Sequence, residues 1–306
     1  MHEAEAVKAR AELPSRELGT LASTYGAAAF AIACWSVTLI VTKLVVGRVD
    51  GVAVGMLRTM LPALVLAPLA VSRGMRFPRG RRARVLLLAS TLGGYILFPV
   101  LFSEGLRFSA GAHAALILAA TPVFTGLFAY LLERRRPKFV WAVGVALAMA
   151  GEAWLIAGHQ GLTGGALAGD LLVLLACLSA ALGYVTGAMV GRDIGSWPTA
   201  VWGILLGALL LLPVAPFVLP DSGVLQSGPW AWAGILYLAC FASLLAYIAW
   251  YWALARGGIA RVGALQFLQP VLTLALAVLI LGDRLSAQLL LAAVCILGGV
   301  FIVQRA

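Results

Sequence analysis

Ten stretches of nearly unbroken apolar residues follow one another along the chain, at 24–46, 52–71, 84–103, 109–132, 139–157, 169–190, 198–219, 230–253, 261–281 and 285–303. Each comes close to the roughly 20 apolar residues that carry an α-helix across the hydrocarbon core of a bilayer. Polar residues gather in short connections rich in Gly, Pro or charge: the basic stretch from Arg73 to Arg82, Glu133 to Lys138, Gly158 to Gly165, and Gly282-Asp283-Arg284. The pattern predicts an all-α integral membrane protein of ten transmembrane helices. Residues 1–20 are mixed in charge and poor in apolar residues, so the first apolar run reads as a span and not as a cleaved signal.

Two of the runs repeat a motif. Leu106, Ala112, Pro122, Val123, Thr125 and Ala129 recur 148 positions later as Leu254, Ala260, Pro270, Val271, Thr273 and Ala277. A weaker echo joins the first spans of the two halves, where Ala33-Cys34-Trp35-Ser36 matches Ala176-Cys177-Leu178-Ser179. Five spans in each half is an odd number, so the halves enter the membrane in opposite senses. This predicts two inverted-topology five-helix repeats, an organisation typical of transporters. The expected layout is a tail at 1–23, a first repeat at 24–157, a linker at 158–168 and a second repeat at 169–306.

Charge sets the orientation. Only 11% of the residues are charged and 62% are hydrophobic, against about a quarter charged in a soluble domain. With the N-terminus inside, 17 Lys and Arg fall on the cytoplasmic side and four (Lys43, Arg48, Arg107, Arg284) on the other. Both termini are therefore expected in the cytoplasm. The net charge of +10 reads as this topology signal and not as a nucleic-acid surface. The chain has no Asn, hence no glycosylation sequon, and its four cysteines are far apart within apolar runs, as buried free thiols would be.

Chemistry is sparse. Nucleotide-binding, zinc-protease and serine-nucleophile signatures are missing, and His2, His113 and His159 are too scattered for a metal site, so neither enzyme nor cofactor is expected. The two prolines stand out. Within a helix, Pro122 deprives the Leu118 carbonyl of its backbone donor, and Pro270 does the same to Gln266. They are either packing kinks or a paired hinge beside a central path. Thr121, Thr125, Gln266, Gln269 and Thr273 lie within a turn of them, able to bind a solute or to tie helices together.

Mid-span aromatics Trp35, Tyr95, Tyr184 and Tyr247 are core packing or the wall of an amphipathic cavity. Trp197, Trp230, Trp232, Tyr251 and Trp252 lie near span ends, as an interfacial belt does. Arg58, about two turns into the second span, is expected to snorkel outward or to pair with an acid such as Glu104. Glu152 reads as a structural carboxylate, Asp170 opens the sixth span, and His113 reads as a satisfied polar contact. Gly203 and Gly207 permit a close helix contact, within or between protomers.

These residues resemble the drug/metabolite transporter superfamily, in particular its ten-helix members with two EamA-type domains. The resemblance rests on Trp35-Ser36, Lys43 and Arg58, then on Ala114-Ala115-Leu116, Pro122-Val123, Leu131-Leu132-Glu133-Arg134, Trp141-x-x-Gly144 and Gly151. In the second half it rests on Ala253-Leu254, Pro270-Val271, Leu281 to Leu285 and Gly298-Gly299. It covers all but the tail. Ser36 stands where that pattern usually has Gly, and Asp283 where it has Glu. What the resemblance implies is export of small metabolites, led by amino acids and toxic analogues, through a cavity lined by helices 1, 3, 4, 6, 8 and 9, with 5 and 10 peripheral. A broader drug, nucleoside or sugar specificity is the alternative, and a non-transporting scaffold a more distant one.

The resulting expectation is an inner-membrane exporter with a small-molecule substrate and the lipid bilayer as its partners and no nucleic acid, its oligomeric state left open with a monomer favoured. Its cavity residues are Trp35, Tyr95, Thr121, Tyr184, Tyr247, Gln266 and Gln269, with hinges at Pro122 and Pro270. A cavity with few charges suits amphipathic solutes held by stacking and hydrogen bonds, and not a strongly ionic ligand needing a fixed countercharge.

Overall fold

The apolar runs become helices. The computed structural model describes residues 2–133, 139–157, 164–257, 265, 268–282 and 286–305. Ten helical elements result: α1 (His2–Val46), α2 (Gly51–Ser72), α3 (Arg81–Phe108), α4 (Gly111–Ala119 and Thr121–Glu133), α5 (Phe139–Ala157), α6 (Gly164–Ile194), α7 (Ser196–Leu211), α8 (Gly228–Tyr237, Leu238–Leu245 and Ala246–Gly257), α9 (Leu268–Leu281) and α10 (Ala287–Arg305). Among the described residues, six are long and apolar enough to span a bilayer, and four shorter apolar helices fill the remaining places. The Asp50 carboxylate starts α2 by accepting from the Val52 and Ala53 N–H groups at 3.0 and 3.2 Å. Gly195, at φ 91°, makes the sharp turn from α6 into α7, where a side chain would be strained.

Helix packing follows the repeat. α1 lies on α8 and α9, and α6 lies on α3 and α4 in the same way. α2 touches α3 and α8, while α7 touches α8 and α3. α4 meets α9, and α5 meets α10. Exchanging each helix for the one five places on maps these contacts onto themselves, as an inverted repeat requires. The α5–α10 crossing displays this with two glycines 148 positions apart. A Cβ on Gly299 would sit 2.5 Å from the Ala148 nitrogen, and one on Gly151 2.8 Å from the Ile296 side chain.

Two expected spans change in detail. The run at 198–219 is helical only to Leu211, because Pro213 and Pro216 follow, and it ends in a short turn of helix at Ala215–Val218. The run at 109–132 is broken at Ala120. There the Ala120 N–H reaches Ile117 O and the Val123 N–H reaches Ala120 O, a tightened turn between the arms of α4. Pro122 thus stands second in a new helical segment, a first-turn position where a missing N–H costs little; for Pro270, the residues just before Leu268 lie outside those described. The Leu118 carbonyl is not orphaned either: the Thr121 hydroxyl donates to it at 2.6 Å.

The sequence carries no signal for two further irregularities. Thr91–Leu97 in α3 and Leu238–Leu245 in α8 are wound as π-helix. Shifted by the repeat offset of 148, the first would begin at 239, one residue from where the second begins. Both repeats therefore loosen the same helix at the same depth.

Candidate functional site

Irregular backbone inside a membrane frees carbonyls that need donors. In α8 the Ala242 carbonyl accepts from the Trp35 indole at 3.0 Å, and in α3 the Tyr95 carbonyl accepts from the Thr59 hydroxyl at 2.6 Å. The first of these bonds ties α1 of one repeat to α8 of the other. It fixes Trp35 edge-on to Tyr247 and Trp250, with ring centroids 5.3 and 5.5 Å apart. Tyr247 in turn meets Tyr184 at 6.4 Å and Tyr95 at 5.7 Å.

Beside this aromatic cluster lies a cavity of about 60 Å³ where α1, α2, α3, α4, α6, α8 and α9 converge. Trp35, Thr121, Tyr184, Tyr247 and Gln269 line it. Tyr95 does not: its ring packs behind Tyr247 and against Gly203, whose added Cβ would lie 2.5 Å from it. The Gly203/Gly207 pair is thus a contact within the chain, receiving Tyr95 and Thr59. Gln266 lies outside the described residues. Of the hinge prolines only the backbone is described, and the break at Ala120 lies between Leu118 and Thr121, both on the cavity wall.

The expectation for Arg58 is overturned. It neither reaches solvent nor meets Glu104. It is 2% exposed and stands on the cavity wall. Its Nε donates to the Ser243 hydroxyl in the α8 π segment at 3.1 Å, and its guanidinium lies 5.5 Å from the Phe98 ring centroid. Nη1 is buried with no hydrogen-bond partner. Glu104 is already engaged, because Arg107 bonds both it and Asp50 at 3.0 Å. The physical reason is that Asp50 and Glu104, at the N-terminal end of α2, are both bonded to Arg107, and among the described residues no carboxylate pairs with Arg58. The cavity therefore carries a fixed positive charge, contrary to the expectation of one suited only to neutral recognition. The convergence of Asp50, Glu104 and Arg107 was the available signal, but it needed the α2–α3 packing to be seen.

The other polar residues hold helix ends. Lys43 donates to the Leu106 and Ser109 carbonyls at 2.6 and 2.7 Å, closing the C-terminus of α3. The fully buried Asp170 accepts from the Ser109 hydroxyl and lies 3.2 Å from His113 Nδ1. His113 is thus a satisfied contact, joining the starts of α4 and α6. The Glu152 side chain is outside the described set. All four cysteines are free; Cys34 and Cys177 are buried, but Cys240 is exposed and Cys295 half-buried, which corrects the expectation of four buried thiols. Among the described residues, no group of His, Cys, Asp or Glu has the arrangement of a metal site.

Comparison with known proteins places this architecture. The model of the EamA-like transporter family matches residues 22–157 and 167–305, one copy for each repeat. "Uncharacterized transporter YdeK" of Bacillus subtilis is 36% identical over 54% of this chain and 56% of its own length. "Uncharacterized transporter YetK" of the same organism is 26% identical over 96% and 89%. The "Probable amino-acid metabolite efflux pump" of Salmonella typhimurium is 30% identical over 58% and 60%. Two of these three relatives are thus matched over little more than half their length. A solved crystal structure with 20% identity superposes with a TM-score of 0.62 over 92% of this chain and 98% of that one, which shows a shared fold.

Proposed function

The chain belongs to the EamA-like transporter family, and from that premise we propose that it exports small metabolites, amino acids and toxic analogues foremost, across the bacterial inner membrane by alternating access. The observation that carries the reading is the cavity where the two repeats meet, walled by α1, α4, α6 and α9, which are equivalent in pairs. At about 60 Å³ it is far smaller than the ~300–1,000 Å³ of pockets that enclose a drug-sized ligand. A solute therefore enters only when the repeats move apart, and the loosened α3 and α8 and the broken α4 supply places to bend. The amino-acid class is supported by the name of the Salmonella relative and by an aromatic, hydrogen-bonding wall.

In this reading the repeats are 24–157 and 169–306, joined by a linker at 158–168 behind a tail at 1–23, and the protein acts as a monomer. Trp35, Thr121, Tyr184, Tyr247, Gln266 and Gln269 contact the solute, with Tyr95 supporting Tyr247. The 17-to-4 division of Lys and Arg supports placing both termini in the cytoplasm.

Counterflow in proteoliposomes tests the proposal: trans-loaded unlabelled amino acid should drive saturable uptake of the labelled one, with and without a pH gradient. Absence of exchange for every amino acid tried would remove the reading. Pro122→Ala combined with Pro270→Ala is expected to slow counterflow several-fold while the elution profile in detergent stays unchanged. Restoring an N–H at position 122 offers the Leu118 carbonyl a backbone donor across the break in α4, and Pro270 is changed with it as the repeat equivalent. Undiminished flux from the double variant would dismiss the hinge.

A further inference from the structure

We propose that Arg58 is an anion subsite of the cavity and takes the carboxylate of the transported solute; this rests on the transport reading above. An arginine at membrane depth is costly, stays charged, and as a rule is paired with an acid or a set of carbonyls. Arg58 has one neutral partner for its Nε, an aromatic ring beside its plane, and a buried Nη1 with nothing to donate to. Among the described side chains, no carboxylate forms an ion pair with it. The unpaired donor belongs to a residue of the cavity wall, so a carboxylate entering as the repeats part gives the guanidinium the acceptor it lacks.

The geometry also limits the class of anion. Arg58 is the one cationic side chain among the lining residues described, which matches a single negative charge better than a divalent phosphate. Ser243 and Phe98 restrain the guanidinium, one through Nε and one through its plane. An ordered fork suits a planar carboxylate, which accepts two parallel hydrogen bonds. Trp35, Tyr184 and Tyr247 lie on the same wall, so a solute held at its carboxylate meets rings with its apolar part. The chemistry recognised is thus a small monocarboxylate with an apolar or aromatic group.

Calorimetric binding to the purified full-length protein tests this apart from transport, using L-phenylalanine and phenylacetate against L-phenylalaninamide and phenethylamine. The wild-type protein is expected to bind the two carboxylates roughly 10- to 100-fold more tightly than their counterparts, the range of a hydrogen bond to a charged group. Arg58→Gln should abolish that preference and Arg58→Lys should keep part of it. Ser243→Ala, which only frees the guanidinium, should reduce it a few-fold and serves if Arg58→Gln does not fold. Equal affinity for both sets, no carboxylate binding, or a preference unchanged in Arg58→Gln overturns the proposal. Counterflow without carboxylate preference would leave the exporter reading standing and remove the Arg58 subsite. Carboxylate binding lost in Arg58→Gln, with no counterflow in the wild type, would keep the subsite and remove the exporter reading.

Discussion

Gly183→Val is expected to eliminate the packed protein, read as loss of the monodisperse peak in detergent size-exclusion chromatography. At this crossing α3 and α6 touch backbone to backbone. A Cβ on Gly183 would lie 2.6 Å from the Gly94 nitrogen and 2.8 Å from its Cα, and one on Gly93 would lie 2.5 Å from the Ser179 carbonyl oxygen. No rotamer relieves a clash with main chain, so the helices must separate. Overpacking a core by ordinary side-chain crowding costs about 1–3 kcal/mol. Here the displaced element is the π segment of α3, whose Tyr95 carbonyl and ring are held by Thr59, Gly203 and Tyr247, so the cost propagates through α2, α7 and α8. Gly26→Ala is the control: its added Cβ meets nothing within 4 Å, and no change in profile is expected. A folded, stable Gly183→Val protein would show that α3 and α6 do not meet in this register.

Hydropathy and proline spacing made the ten helices and the doubled repeat legible, because span length and repetition are properties of the chain itself. The helix break at Ala120 was legible only as a disturbance near Pro122. Whether the proline sits inside a kinked helix or opens a new one depends on whether a donor such as Thr121 closes the preceding turn. The π segments were not legible at all. Thr91–Leu97 and Leu238–Leu245 share no local pattern, and each is stabilised by donors or rings from other helices. Tyr95 and Tyr247 were indistinguishable as mid-span tyrosines, since helix rotation alone decides which one reaches the cavity. Arg58 was visible as an embedded charge, but its direction depended on Glu104 being occupied by Arg107.

Trp35→Ala is expected to lower counterflow at least tenfold and to depress the apparent melting temperature markedly, whereas Trp35→Phe separates the two contributions. Truncating a buried tryptophan to alanine costs about 3–5 kcal/mol through lost contacts and the cavity left behind. At this position the void would open directly into the existing space beside Tyr247 and Trp250, enlarging the site and loosening its wall. The indole N–H makes a second contribution, because it satisfies the Ala242 carbonyl in the π segment of α8. Leaving that group unpaired costs about 1–3 kcal/mol, and phenylalanine removes the donor while keeping most of the ring. If Trp35→Phe melts near the wild type but exports poorly, the indole bond couples α1 to α8 during the cycle and is not mainly a source of stability. If both variants lose stability equally, the bond to Ala242 holds the π segment in place. Wild-type flux in Trp35→Ala would mean that the solute passes elsewhere than the cavity between the repeats.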